Sequence, residues 1–148
     1  GPACWPRRHI APFEYRAIER LLWKRPSLVL AGEGSCETVA EAEEILAWAR
    51  KLSLPVLADP LSGLRSIDDP LIIDNYDNIF GRETCPEFDV VVRFGRYPVS
   101  KRIFKTLETK PHIQIVVDSL ETRDFDAATT TFVKCDPLAF VYELWWGK

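Results

Sequence analysis

The chain has 148 residues, which is enough for one domain with its own hydrophobic core. Hydrophobic residues make up 47% of it and charged residues 28%, as in ordinary globular proteins. The formal net charge of −3 provides no broad positive field, so we expect no nucleic-acid partner and only local sites for anions. No apolar run reaches the roughly 18 residues that a membrane span needs, and no signal-peptide pattern is present. These features predict a cytoplasmic protein without a membrane span.

The sequence begins with Gly1-Pro2 and contains no methionine. A Gly-Pro start is common where a protease has removed an expression tag, so residues 1–2 are predicted to be an expression scar. Residues 3–148 are then expected to form a single domain that is a piece of a longer protein. The four cysteines and two histidines are too widely spaced for a metal or redox motif, so we expect reduced thiols and no metal site.

Five short, nearly continuous apolar runs alternate with amphipathic stretches along the chain. Runs of this length, rich in β-branched residues, predict strands that are buried on both faces. In chain order, the predicted strands are residues 27–32, 55–59, 88–95, 112–118 and 130–134.

Apolar residues at helical spacing predict helices before the first strand, after the first three strands and after the last. Ser35 is expected to cap the helix that follows the first strand. A short helix that carries Ile72 and Phe80 is expected to end at Gly81, and Asp136-Pro137 predicts the start of the last helix. This alternation predicts an α/β fold: a Rossmann-like, doubly wound parallel sheet of five or six strands flanked by helices.

In a doubly wound sheet, ligands bind beyond the carboxyl ends of the strands, where the strand order reverses. The loop after the first strand, "AGEGSCE", contains Gly32 and Gly34 and resembles part of a dinucleotide fingerprint, with Asp59 placed to bind a ribose. The third glycine position is Glu37, however, and both Glu33 and Glu37 would repel a pyrophosphate. We therefore favour a tight turn into a helix. A stand-alone dinucleotide-binding module that uses the Gly32–Gly34 loop remains an alternative.

The stretch "RFGRYPVSKR" places four cations at the end of the third predicted strand and just after it. Gly95 is expected to break the strand, and the following proline suits the first position of a helix, which puts Ser100, Lys101 and Arg102 in its first turn. Each cation there is disfavoured by about 0.3–1 kcal/mol, because the N-terminus is the positive end of a helix. We therefore predict that these three residues bind a carboxylate or phosphate. A solvated basic surface is the alternative.

Four stretches, "VLADPLSGLR", "IIDNYD", "DVVVRFGRYPVSKR" and "IVVD", together resemble one enzyme family in their order and spacing. The family is the 2-succinyl-5-enolpyruvyl-6-hydroxy-3-cyclohexene-1-carboxylate (SEPHCHC) synthases, the thiamine-diphosphate enzymes of menaquinone and phylloquinone biosynthesis. The resemblance covers residues 28–118 and is to the middle of three domains. It implies an enzyme that decarboxylates 2-oxoglutarate and adds the succinyl unit to isochorismate. It also implies that Lys101 and Arg102 reach toward substrate carboxylates.

The resemblance carries no catalytic, cofactor-binding or metal-binding residue over to this chain. The Gly-Asp-Gly motif for metal and diphosphate and the activating glutamate of the family have no counterpart in it. Thiamine diphosphate and Mg²⁺ are therefore expected to bind to flanking domains, and the isolated chain is expected to be inactive. The full-length enzyme is expected to be a homo-oligomer.

Arg65 and Arg96 are further cations in the loops at the same end of the sheet. Arginine pairs suit planar carboxylates, so they are a candidate second anion site through which an acidic downstream metabolite could regulate the enzyme. We favour the simpler alternative, in which they pair with aspartates such as Asp59 or Asp118. The remaining alternative for the whole chain is a structural spacer whose basic loop binds nothing.

Overall fold

The chain folds around one parallel sheet. In a computed structural model, the described residues are 12–64, 67, 72–73, 87–96, 107, 110–119 and 130–146. The strands within these ranges are β1 (Ser27–Ala31), β2 (Val56–Ala58), β3 (Ile72–Ile73), β4 (Val90–Phe94), β5 (Ile113–Asp118) and β6 (Thr130–Lys134). They form a six-stranded sheet in the order β3-β2-β1-β4-β5-β6, in which every neighbouring pair is parallel. This order confirms the predicted doubly wound, Rossmann-like α/β fold.

The central strands are buried along their length because both faces of the sheet are covered. All five residues of β1 and all five of β4 are buried. Successive side chains of a strand point to opposite faces, so Val29 joins the larger hydrophobic core and Leu30 the smaller one. This burial explains why the sequence shows continuous apolar runs rather than an alternation of apolar and polar residues.

Helices cover the face of the sheet that carries the larger core. Within the described ranges they are α1 (Pro12–Lys24), α2 (Val39–Lys51) and α3 (Pro137–Trp146). The rings of Trp48, Phe94 and Phe140 have centroids 5.8–6.3 Å apart and so join α2, β4 and α3. Tyr15 of α1 contacts Phe140 at 6.1 Å. None of these helices has both the length and the hydropathy to cross a membrane.

The opposite face of the sheet carries the smaller core. Its members are Leu28, Leu30, Leu57, Phe88, Val91 and Leu107. Leu107 is in helical conformation and belongs to the helix predicted after the third apolar run, most of which lies outside the described residues. Its burial shows that the chain also covers this face, as a doubly wound sheet requires.

The starts of two helices test the predicted caps. Thr38, and not Ser35, caps α2, because the Thr38 Oγ1 accepts a hydrogen bond from Glu41 N–H at 3.1 Å. Ser35 lies three residues before this cap and uses its hydroxyl within the loop instead. Asp136 caps α3 as predicted, with its carboxylate accepting from the backbone N–H two residues later at 3.0 Å and proline in the first helical position.

The prediction of a short helix is wrong at Ile72. Ile72 and Ile73 form β3, which pairs with Val56 and Leu57 at the edge of the sheet. Adjacent β-branched residues suit a strand, and pairing with β2 satisfies their backbone groups, so this tertiary contact outweighs the helical spacing. The rest of that predicted helix, including Gly81, lies outside the described residues.

Candidate functional site

Four strands end at the same level at the carboxyl end of the sheet. The register places Ala31 of β1 beside both Ala58 of β2 and Phe94 of β4, and Phe94 beside Val117 of β5. The residues that follow these strands therefore lie at one level. The sheet extends from β1 toward β3 on one side and from β4 toward β6 on the other, so the strand order reverses between β1 and β4. Ligands of doubly wound sheets bind at such a reversal.

Hydrogen bonds tie the β1 and β4 loops directly to each other. Gly32 N–H donates to the Phe94 carbonyl at 2.8 Å, and Arg96 N–H donates to the Glu33 carbonyl at 2.9 Å. The buried Ser35 hydroxyl lies 2.7 Å from the Gly32 carbonyl oxygen and 3.3 Å from that of Phe94. The two loops therefore close the crevice between β1 and β4 with their own backbone.

Glycines at positions 34 and 95 allow this close approach. Gly34 has φ 90° and Gly95 has φ 74°, a backbone conformation that residues with a Cβ rarely adopt. A Cβ on Gly95 would overlap the carbonyl oxygen of Glu33, and a Cβ on Gly34 would overlap the guanidinium of Arg96. The predicted strand break at Gly95 is confirmed, since β4 ends one residue earlier.

Arg96 lies over the glycine loop and pairs with the end of β5. Its Nη1 is 3.6 Å from Oδ1 of Asp118, the last residue of that strand. The Asp118 side chain is only 1% exposed, whereas that of Arg96 is 39% exposed. From the sequence we favoured such an ion pair for Arg96 over a second anion site, and the structure contains it. A guanidinium beside a buried carboxylate retains less positive potential for a second anion.

This geometry disfavours a dinucleotide at the glycine loop. The Arg96 guanidinium fills the space above Gly34, where a pyrophosphate would approach the backbone. The first turn of α2 is capped by Thr38, so one of its free N–H groups is already used. Asp59, the expected ribose ligand, is 2% exposed and accepts from Leu61 N–H at 2.9 Å within its own loop.

The β2 loop joins the same edge through Cys36. Cys36 N–H donates to the Ser62 carbonyl at 3.3 Å, and its thiol lies 3.6 Å from the same oxygen. Gly63 has φ 89°, and a Cβ there would lie 2.7 Å from the Cys36 carbonyl oxygen. Burial raises the pKa of the Cys36 thiol to about 11, and the charges of Glu41 and Asp136 add to the shift. The thiol is therefore protonated at neutral pH and is not an activated nucleophile.

Arg93, one of the four cations of the basic stretch, lies inside the sheet. It belongs to β4 and is 1% exposed, and its Nη1 donates to Oε1 of Gln114 on β5 at 3.1 Å. The alternation of β4 places it on the same face as Val91, in the smaller core. The sequence could have distinguished Arg93 from the cations of the loop, because Arg93 lies inside a predicted strand. The exposed positive charge of the stretch therefore begins at Arg96.

Ser100, Lys101 and Arg102, the predicted carboxylate-binding residues, lie outside the described residues, and so does Arg65. Of the cations predicted to bind anions, Arg96 lies within the described residues. In the described part of the chain, no group of three or more His, Cys, Asp or Glu side chains could hold a metal ion. Within the same ranges, the Arg96 guanidinium covers the glycine loop, where a diphosphate would approach the backbone.

Comparisons with known proteins find relatives that align with most or all of the chain, although no family model matches it. The chain is 39% identical over 130 residues to the SEPHCHC synthase of Bacillus velezensis, covering 83% of this chain and 22% of that protein. The synthase of Bacillus pumilus is also 39% identical, covering 81% and 22%. The synthase of Geobacillus kaustophilus is 36% identical, covering 100% of this chain and 27% of the relative. The chain thus spans about a quarter of the length of these relatives, and the resemblance seen in its motifs is confirmed.

Proposed function

We propose that this chain, which belongs to the SEPHCHC synthase family as a segment, is the central domain of such an enzyme. The similarity carries the proposal, because for one relative it extends over 100% of this chain while covering 27% of that protein. A six-stranded parallel sheet suits a Rossmann-like central domain. The full-length protein is proposed to be a cytoplasmic homo-oligomer whose flanking domains contain the catalytic groups.

The proposed reaction is the decarboxylation of 2-oxoglutarate and the addition of the succinyl unit to isochorismate, in menaquinone or phylloquinone biosynthesis. Thiamine diphosphate with Mg²⁺, bound to the flanking domains, supplies the carbanion chemistry. The name of the relatives describes a product with three carboxylate groups, one each on the succinyl, enolpyruvyl and ring portions. Binding such an anion calls for several cations, and this chain is proposed to contribute some of them.

Lys101 and Arg102, together with Ser100, are proposed to bind a substrate carboxylate. They follow the end of β4 in sequence, and β4 borders the reversal of strand order where ligands of such sheets bind. Arg93 is buried in the sheet and Arg96 is paired with Asp118, which leaves Lys101 and Arg102 as the other cations of the stretch. A second anion site at Arg65 and Arg96 stays a prediction.

Steady-state kinetics of the full-length enzyme test this role. Lys101→Ala and Arg102→Ala should raise KM or lower kcat/KM for a carboxylate substrate roughly tenfold or more, because a charge-assisted contact is worth about 1.5–3 kcal/mol. Thermal stability should be unchanged or slightly higher, because a cation leaves the positive end of a predicted helix. Arg25→Ala is the matched control, since its ion pair with Asp89 lies at the amino end of the sheet. Unchanged kinetics in both variants would show a basic surface without a ligand.

Two competing functions lead to different results. A stand-alone dinucleotide-binding module should bind NAD, NADP or FAD with micromolar affinity in calorimetry, whereas the loop closed by Arg96 predicts no binding. A structural spacer should bind no dinucleotide and should leave the kinetics of the enzyme insensitive to Lys101 and Arg102.

A further inference from the structure

We propose that an apolar patch at the carboxyl end of the sheet, on the side of β1 and β2, is covered by a flanking domain of the same enzyme. The apolar patch consists of the exposed side chains of Val39, Ala40, Pro60 and Leu61. The proposal rests on the proposed function, in which the flanking domains contain the catalytic groups. It concerns the packing of domains and not the binding of substrate.

The start of α2 and the loop after β2 each contribute two residues to the apolar patch. Cys36 connects these segments, since its N–H donates to the Ser62 carbonyl at 3.3 Å and a Cβ on Gly63 would lie 2.9 Å from its sulfur. Leu61 is 61% exposed and Val39 is 54% exposed. Single exposed apolar side chains are ordinary on protein surfaces, whereas neighbouring ones mark interaction sites.

Hydrogen bonds hold the loop that carries Leu61. The Asp59 carboxylate accepts from Leu61 N–H at 2.9 Å, and the Asp59 carbonyl accepts from Ser62 N–H at 2.9 Å. The buried Ser62 hydroxyl accepts from Leu64 N–H at 3.1 Å. Because this backbone is already ordered, a partner that covers Leu61 has little loop entropy to overcome.

Acidic side chains border the apolar patch and indicate what can cover it. Glu33 and Glu37 are exposed in the loop before α2, and the Glu41 carboxylate accepts from Glu37 N–H at 2.9 Å. The substrates proposed for the enzyme are carboxylates, which these negative charges repel. A protein surface with apolar side chains bordered by arginine or lysine is complementary in both respects. The charge therefore favours a protein domain over a substrate at this place.

The position of the apolar patch identifies that domain. The chain spans 22–27% of the length of its relatives, so most of such an enzyme lies outside it. Doubly wound domains use the carboxyl ends of their strands for ligands. If the cofactor is bound to the flanking domains, these domains must approach the same end for the central domain to contact the substrate. The apolar patch is therefore expected to belong to their interface.

Hydrogen–deuterium exchange followed by mass spectrometry tests the proposal by comparing the full-length enzyme with the isolated chain. The amides of Val39 and Ala40 precede the first intrahelical bond of α2, which joins Ala42 N–H to the Thr38 carbonyl at 3.0 Å, so they should exchange rapidly in the isolated chain. Peptides that cover the apolar patch should exchange roughly tenfold more slowly in the full-length enzyme. Equal exchange would overturn the proposal. Slowing that appears in the isolated chain as its concentration rises would also overturn it, because a second copy would be the occupant.

Two substitutions at Leu61 test the chemistry of the partner surface. Both remove the same apolar contact, but Leu61→Arg places a cation opposite the expected basic side chains, whereas Leu61→Glu places an anion there. In the full-length enzyme, Leu61→Arg should abolish the slow exchange and Leu61→Glu should retain part of it. Trp23→Arg is the control, since Trp23 is 57% exposed near the amino end of the sheet, and exchange at the apolar patch should be unchanged. Unaltered exchange in Leu61→Arg would overturn the proposal.

Two further measurements separate docking from folding and from the proposed function. In the isolated chain, both Leu61 variants should leave the midpoint of urea denaturation unchanged, because the side chain is largely exposed. Product formation by the full-length enzyme tests the function itself. If product forms while the apolar patch exchanges as in the isolated chain, the docking proposal fails and the proposed function stands. If the apolar patch is protected but no product forms, docking is supported and the proposed function fails.

Discussion

Gly95→Ala is expected to destabilise the chain more than the addition of one methyl group to a loop usually does. The φ of 74° at Gly95 strains any residue that has a Cβ. That Cβ would overlap the carbonyl oxygen of Glu33 and lie 3.0 Å from the carbonyl oxygen of Gly32. Both oxygens belong to a loop that hydrogen bonds hold against β4, so the overlap cannot be relieved without breaking bonds.

The structure gives the size of the effect. Left-handed backbone conformation costs a residue with a Cβ about 1–2 kcal/mol. Separating the loops would also break the bonds from Arg96 N–H to Glu33 and from Gly95 N–H to Val117, both 2.9 Å long. Each such bond contributes about 0.5–1.5 kcal/mol. The free energy of unfolding should therefore fall by about 2–5 kcal/mol, a large part of the ~5–15 kcal/mol that is typical of a domain.

Gly34→Ala is the matched control for this prediction. Its φ of 90° imposes a similar strain, but the added Cβ meets only the end of the Arg96 side chain, which can rotate away. The Arg96 guanidinium is 39% exposed and can shift while staying near Asp118, so the ion pair is weakened and not lost; this adds about 0–1 kcal/mol, and the total loss should be about 1–3 kcal/mol. Urea denaturation followed by far-ultraviolet circular dichroism measures both variants. A loss for Gly95→Ala no larger than that for Gly34→Ala would refute the claim that backbone contact closes the crevice.

Thr38→Ala should lower the free energy of unfolding by about 0.5–2 kcal/mol because α2 loses its N-cap, and Thr38→Ser should restore most of it in the same urea assay. Burial raises the pKa of Cys36 from 9.0 to about 11 and that of Tyr15 from 10.0 to about 12, so the protonated forms stabilise the fold. This stabilisation is complete below the unfolded values and is lost as the pH rises through the folded ones. Unfolding free energies measured from pH 9 to 12 should therefore decline, and less steeply in Cys36→Ala and Tyr15→Phe; equal slopes would contradict the assignment. The isolated chain, supplied with thiamine diphosphate, Mg²⁺, 2-oxoglutarate and isochorismate, should form no product above the blank.

The fold was predictable because burial on both faces leaves a strong pattern in the sequence. The last apolar run, 130–134, coincides with β6, and the run 88–95 contains β4 with its ends shortened. The pattern failed at Ile72-Ile73, since a strand of two residues is too short to show a period of its own. Whether such a pair forms a strand depends on an open sheet edge beside it, which is a property of the whole fold.

The site was less predictable because its contacts join residues that are far apart in the sequence. The Ser35 hydroxyl looked like a local helix cap, but it lies 3.3 Å from the carbonyl of Phe94, 59 positions away. The choice between Ser35 and Thr38 as the cap depends on where the loop must stay close to β4 before the helix can begin. The ion pair of Arg96 with Asp118 was easier to predict, since Arg96 follows β4 and Asp118 ends the adjacent parallel strand β5.

The backbone contact between the β1 and β4 loops leaves little room for a nucleotide, although the strand order is that of nucleotide-binding folds. Glycines at 34 and 95 remove the side chains that would hold the two loops apart, and Arg96 then occupies the space that remains. This geometry disfavours a dinucleotide between the loops, so we expect recognition at this edge to use other groups. Lys101 and Arg102, the next cations in the sequence, are the groups that we propose for it. The contacts that bring the two loops together also hold the Arg96 guanidinium beside Asp118, so a variant that separates the loops should weaken this ion pair as well.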